Sequence, residues 1–164
     1  MQPLSVTIIP TNVEEVSTTP PDRVRAWREL MRVHARVTEE LDRVLRTEVW
    51  IPGSWYEALV EIAFAGGNMR MNEFADETTL TKSGATRFVD RLEKAGLVER
   101  TTCPTDRRVQ QLALTAAGKR VQKSADPHVL RVIKESFGSF LDDDEAATLS
   151  RALHRIRSGP VSVG

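Results

Sequence analysis

Residues 72–115 constrain this chain most, because helix caps, helix breakers and short apolar runs alternate there at close intervals. Asn72 is placed to cap a short helix, NEFADET, in which Phe74 and Ala75 supply apolar contacts. After the turn Thr78-Thr79-Leu80, Thr81 is placed to cap a second helix reaching about Ala95. Gly96 closes it, since a residue without Cβ suits the left-handed position past a helix end. Ala85, Phe88, Val89 and Leu92 recur at i, i+3, i+4 and i+7, which commits one face to a core. The other face carries Lys82, Ser83, Thr86, Arg87 and Asp90. Leu97 to Arg100 then reads as a strand, Thr101 to Arg108 as a turn-rich loop containing Pro104, and Val109 to Leu114 as a second strand.

Taken alone, the polar helix face has two readings. It is either an ordinary solvated surface or a set of cationic and hydroxyl groups able to reach phosphates and base edges. The hairpin favours the second reading. Two short strands around an Asp106-Arg107-Arg108 tip make a wing, and arginine at such a tip suits the negative potential of a narrow minor groove. Helix, turn, helix and basic wing in one block describe a winged helix-turn-helix. Asn68 to Met71 is short enough to add a third strand beside the wing.

Charge distribution agrees with this. The formal net charge is zero, yet Lys82 to Lys123 holds ten Lys or Arg against four acids, a net of +6. The balancing acids lie elsewhere, as in Asp142-Asp143-Asp144-Glu145. A basic block on a compensated chain is the footprint of a nucleic-acid surface, and double-stranded DNA is the expected partner.

The remaining sequence supplies long helices. Residues 1–20, rich in Thr, Val and Pro, read as a flexible arm. They lack the basic and apolar regions of a signal peptide. Asp22 is placed to cap a helix to about Thr47, with Trp27, Leu30, Val33, Val37, Leu41, Val44 and Leu45 as its apolar stripe. Pro52-Gly53 breaks the chain, and Ser54-x-x-Glu57 has the form of a capping box opening a helix to about Phe64, ended by Gly66-Gly67. From Thr115 a further helix carries Val121, Ala125, Val129, Val132 and Ile133 in line, with Pro127 expected to kink or interrupt it. Asp142 with Glu145 caps a last helix, in which Ala146, Leu149, Leu153 and Ile156 repeat at helical spacing. The expected fold class is mainly α with a small β-hairpin wing (α+β). The expected organisation is an arm over 1–20, a main domain over 21–158 and a tail over 159–164. Within the domain, the winged helix-turn-helix covers about 54–115, between dimerisation helices at about 22–47 and 115–158. No run of 18 apolar residues is present, so no membrane partner is expected. A single cysteine excludes an intrachain disulfide framework and fits a reducing cytoplasm.

Ser83-Gly84-Ala85-Thr86-Arg87-Phe88-Val89-Asp90-Arg91-Leu92-Glu93-Lys94-Ala95-Gly96-Leu97-Val98 resembles the recognition helix and first wing strand of MarR-family regulators. Asp106-Arg107-Arg108, followed by Leu114-Thr115 and Gly118, resembles that family's wing signature, Asp-x-Arg and then Leu-Thr-x-x-Gly. The resemblance implies a homodimeric transcription factor, commonly a repressor on a pseudo-palindromic operator, released by a small molecule or by oxidation. It matches Ser83, Thr86 and Arg87 to positions facing the major groove, and Arg108 to the wing arginine that Asp90 pairs with as a brace. Lys82, Arg91 and Arg107 complete the expected DNA-binding set, Lys82 and Arg91 as phosphate contacts. Trp27, His34, Trp55 and Tyr56 are candidates for a small-molecule site, with an aromatic effector as the implied ligand.

Other chemistry has little to stand on. His34, His128 and His154 are widely separated, so no metal ligand set is legible, and no cofactor is expected. There is no Gly-rich phosphate loop, nucleophile elbow or framed pair of carboxylates, so the chain does not read as an enzyme. Two alternatives stand beside the DNA reading: a winged helix used for protein binding, and a redox-responsive regulator using Cys103 in the wing loop.

Overall fold

The computed structural model describes residues 21–78, 80–102 and 110–160. The expected arm, the wing-loop residues Cys103, Pro104, Asp106, Arg107 and Arg108, and the end of the tail lie outside the described residues. Close contacts divide the chain into two units, residues 1–35 and 36–164. In the first, the described residues are the opening turns of helix α1 (Pro21–Glu48), where Trp27 is 60% exposed and His34 is also exposed. Pro21 occupies the first position of the helix, where its fixed φ fits and its missing N–H costs nothing. Asp22, expected as the cap, instead sits inside the first turn and pairs with Arg25 at 3.0 Å.

The second unit carries the rest. After α1 come α2 (Gly53–Phe64), β1 (Asn68–Arg70), α3 (Met71–Glu77) and α4 (Lys82–Lys94). The strands β2 (Val98–Thr102) and β3 (Gln110–Leu114) follow, then α5 (Ala116–Ser136), a 3-10 turn at Gly138–Phe140 and α6 (Asp143–Ser158). The three strands form one antiparallel sheet in the order β1-β3-β2, with Met69 opposite Leu112 and Arg100 also opposite Leu112. The third strand expected at Asn68 is therefore present and pairs with the wing.

Several helix starts differ from expectation for reasons outside the local sequence. The Ser54–Glu57 box does not open the helix, because α2 begins two residues earlier, with Pro52 as its N-cap. The N–H of Gly53 instead donates to the Asp42 carboxylate at 2.8 Å, so a side chain of α1 caps α2. Likewise α3 starts at Met71 rather than after Asn72, because β1 runs directly into it and the Glu73 carboxylate accepts the Arg70 N–H at 3.0 Å. The turn after α1 is made by Trp50, whose φ of 64° puts a bulky residue in the left-handed region. Pro127 does not interrupt α5. Ala125 and Val129 are buried on either side of it, and their packing holds the helix through the lost hydrogen bond.

Two apolar clusters order this unit. The larger joins α2, β1, α3, α4 and the wing strands through Leu59, Ile62, Phe74, Val89, Leu92 and Leu112, each fully buried. Ala85, Val89 and Leu92 of α4 are all in it, as their spacing required. The smaller joins the end of α1 to α5 through Leu45, Ile51, Ala125 and Val129, with Trp55 touching both clusters. By contrast, α6 buries no residue, although Asp142 and Glu145 form the expected capping box at 2.8 and 3.0 Å.

Candidate nucleic-acid interface

Helix α4 is defined at both ends by its own sequence. Thr81 caps α4, its hydroxyl accepting the Gly84 N–H at 3.1 Å. At the far end Gly96 adopts φ 71°, its N–H reaching Glu93 O at 2.8 Å while Leu97 N–H reaches Leu92 O at 3.0 Å. Between these stops, Lys82, Ser83, Thr86, Arg87, Asp90 and Arg91 are all exposed. No acid lies in the first turn, so the positive end of the helix dipole and Lys82 act in the same sense toward an anion. The Thr86 hydroxyl donates to Lys82 O at 3.0 Å, leaving its methyl group and oxygen lone pairs for an outside partner. Arg91 lies with its guanidinium 5.3 Å from the Phe88 ring centroid, a cation–π contact on the flank of α4.

The wing is joined to this helix by a residue that sequence reasoning counted only as one cation among ten. Arg100 of β2 donates to Asp90 at 2.6 Å and also pairs with Glu93. Its backbone N–H reaches the same Glu93 carboxylate at 3.4 Å. Burial pulls the Arg100 guanidinium down, but hydrogen bonding to Asp90 and the charge of Glu93 outweigh it and raise its pKa above the usual value. Among the described residues, then, Asp90 is engaged by Arg100. The brace from Asp90 to Arg108 expected from the family resemblance involves a residue outside them, as does the placement of Arg107. The period that exposes Asp90 and Glu93 at i, i+3 on one helix edge, next to a strand-borne arginine, was the available signal.

The basic block also proves to be divided. Lys119, Arg120 and Lys123 line a separate groove of about 560 Å³ with Ala63, Gly66, Gly67 and Leu114, and no residue of α4 borders it. These three cations belong to the start of α5, not to the exposed face of α4.

The Leu-Thr-x-x-Gly motif has a clear physical basis. Leu114 is core; Thr115 caps α5 by accepting Gly118 N–H at 2.9 Å, and its hydroxyl donates to Gly96 O at 2.7 Å. A Cβ on Gly118 would sit 2.0 Å from Leu97 O, so only glycine lets α5 approach the end of α4 this closely.

The candidate ligand residues fall into two groups. Trp55 and Tyr56 are half-buried packing residues, and the Tyr56 hydroxyl donates to Asp126 at 2.9 Å. Burial, reinforced by that bond, pushes the Tyr56 phenol well above its usual range. Trp27 and His34 belong to the first unit, where both are exposed. Among the described residues no cluster of three or more His, Cys, Asp or Glu could hold a metal ion, and no helix is long and apolar enough to cross a membrane.

Known proteins share this arrangement. A family model described as MarR family matches residues 51–109, the segment from the start of α2 through the wing loop. YsmB of Bacillus subtilis, an uncharacterized HTH-type transcriptional regulator, is 31% identical over 91 residues, 56% of this chain and 62% of that protein. The chain thus spans rather less than two thirds of that relative's length. The crystal structure of AbsC, a MarR family transcriptional regulator from Streptomyces coelicolor, superposes with a TM-score of 0.77 at 28% identity, covering 86% of this chain and 95% of that one. Sco3205 from the same organism, also a MarR family transcriptional regulator and solved in complex with DNA, gives 0.77 at 26% identity, covering 87% and 95%. All three of these relatives are described as transcriptional regulators. With its α4, three-stranded wing sheet and matched segment, the chain has the winged helix-turn-helix fold of the MarR family regulators it superposes on, and residues 51–109 are similar to that family.

Proposed function

We propose that the protein is a sequence-specific transcriptional regulator that binds double-stranded DNA as a homodimer and acts as a ligand-released repressor on a pseudo-palindromic operator. The observation that carries this is the exposed face of α4, where Lys82, Ser83, Thr86 and Arg87 stand at the dipole-positive end of a helix whose other face is fully committed to the core. In this reading Arg87 reads base edges, Thr86 presents its methyl to a thymine, and Lys82 and Arg91 hold phosphate. One of the two wing arginines, Arg107 or Arg108, supplies the minor-groove contact. Support for DNA as partner comes from Sco3205, solved with DNA on the same fold. A dimer accounts for the apolar side chains Leu130, Ile133 and Ile156, exposed along α5 and α6 at 67%, 40% and 72%. Two copies would place their α4 helices roughly 34–36 Å apart, one DNA turn.

The test is a binding titration on promoter fragments, beginning with the one beside the protein's own gene. Wild type is expected to select one fragment with a steep salt dependence, and Arg87→Ala to cost about 1–3 kcal/mol of that affinity. Equal binding of every fragment, or none, overturns the reading. Release by small aromatic molecules, with Trp27, His34, Trp55 and Tyr56 as the residues to substitute, is checked by adding such compounds to the preformed complex.

A further inference from the structure

Resting on the DNA-binding reading above, we propose that Arg100 is a positioning residue for recognition: Asp90 and Glu93 withhold it from phosphate and use it to lock the wing strand against the edge of α4. The side chain is only 22% exposed, whereas its partners are 56% and 40% exposed. One guanidinium grips both carboxylates, and its Nη2 also lies 3.5 Å from the carbonyl oxygen of Thr86, a residue of the reading face. A planar fork with five donors can do this, and a lysine ammonium cannot. The charge balance argues against a phosphate role. Two carboxylates around one guanidinium leave a local net charge of −1 on the surface that meets a polyanion. Such a cluster repels the ligand, so it is a hindrance to affinity unless it fixes geometry.

The consequence is specific. Sequence-selective binding requires α4 and the wing to engage two grooves in one register, and the clamp sets that register. Non-specific binding requires only positive charge. Loss of the arginine therefore damages selectivity while sparing general affinity. Neutralising its two partners has the opposite effect on general affinity, since it frees a cation with a neighbouring groove of about 370 Å³ to move into.

The experiment compares two duplexes of equal length, one selected by the wild-type protein from a random-sequence pool and one unrelated. Arg100→Ala is expected to weaken binding to the selected duplex about tenfold or more, leave the unrelated duplex within about twofold, and keep the salt slope unchanged. Arg100→Lys should not restore selectivity. The double variant Asp90→Asn/Glu93→Gln should bind the unrelated duplex more tightly, with a log–log salt slope steeper by about 1, the mark of one added phosphate contact. Equal losses on both duplexes with a shallower slope for Arg100→Ala would make Arg100 a phosphate contact and overturn the inference. An unchanged selectivity ratio would overturn it too. Should Arg100→Ala fail to fold, as judged by circular dichroism, the carboxylate variant decides alone through its effect on the unrelated duplex. Wild-type protein that selects no duplex overturns the DNA-binding reading, and this role with it.

Discussion

The helices on the two sides of Thr115 have the same kind of apolar spacing but opposite fates. In α4, Ala85, Val89 and Leu92 are all completely buried within one chain. In α6, Leu149, Leu153 and Ile156 recur just as regularly, yet the helix buries nothing. Periodicity thus specifies a face but not what covers it. The winged lobe closes on its own side chains, whereas among the described residues α6 leaves Ile156 exposed and Leu149 and Leu153 only half-buried.

The sharpest way to break this contrast is a pair of Phe→Ala substitutions. Phe74 is fully buried in the lobe and Phe140 is 69% exposed beyond α5. Phe74→Ala should cost about 3–5 kcal/mol in urea unfolding, independent of protein concentration. Phe140→Ala should cost well under this in dilute solution and should reveal itself, if at all, as a concentration-dependent change in melting temperature. Similar losses from both would erase the distinction. Next in size, Gly118→Ala places a methyl against the backbone carbonyl of Leu97, and should destabilise by about 1–3 kcal/mol through a shift of α5 against α4. An alanine tolerated without cost at that position would mean the junction is looser than the 2.0 Å approach indicates. The smallest effect sharpens the comparison at helix starts. Thr81→Ala and Asp142→Ala each remove a side-chain cap worth about 1 kcal/mol. In the packed α4 the loss should appear in global unfolding. In α6 it should appear first as faster amide exchange in the opening turn.

Much of the lobe was legible because its signals are local. Thr81 and Gly96 bracket α4 by their own chemistry, Gly66-Gly67 ends α2, and Asp142 with Glu145 caps α6 as a box. What escaped was set by partners distant in sequence. Ser54 and Glu57 match a capping box, but α2 already starts at Gly53, whose N–H is taken by the Asp42 carboxylate eleven residues earlier in the chain. Pro127 reads as a breaker, but burial of Ala125 and Val129 carries α5 through it. The candidate site divides in the same way. Its exposed face followed from the period of α4, since Ser83, Thr86 and Arg87 fall opposite Ala85, Val89 and Leu92. The role of Arg100 did not, because its partners lie 7 and 10 residues back on another element. Similarly, counting charges along the chain merged Lys119, Arg120 and Lys123 with the cations of α4, although they line a different groove.

The knot at Thr115 gives α4 a pivot. Its hydroxyl and the tight approach of Gly118 pin the carbonyls of Gly96 and Leu97, just past the end of α4, to the first turn of α5, while Lys82 and Ser83 stand at the opposite end of the helix. Thirteen residues of helix make a lever about 20 Å long. Tilting that lever by about 10° at the pivot swings its free end by about 3.5 Å, which is roughly one base-pair step. On the proposed DNA-binding reading, a tilt of that size would carry Lys82 and Ser83 to the next rung of the duplex, and the burial of Ala85, Val89 and Leu92 is what resists it.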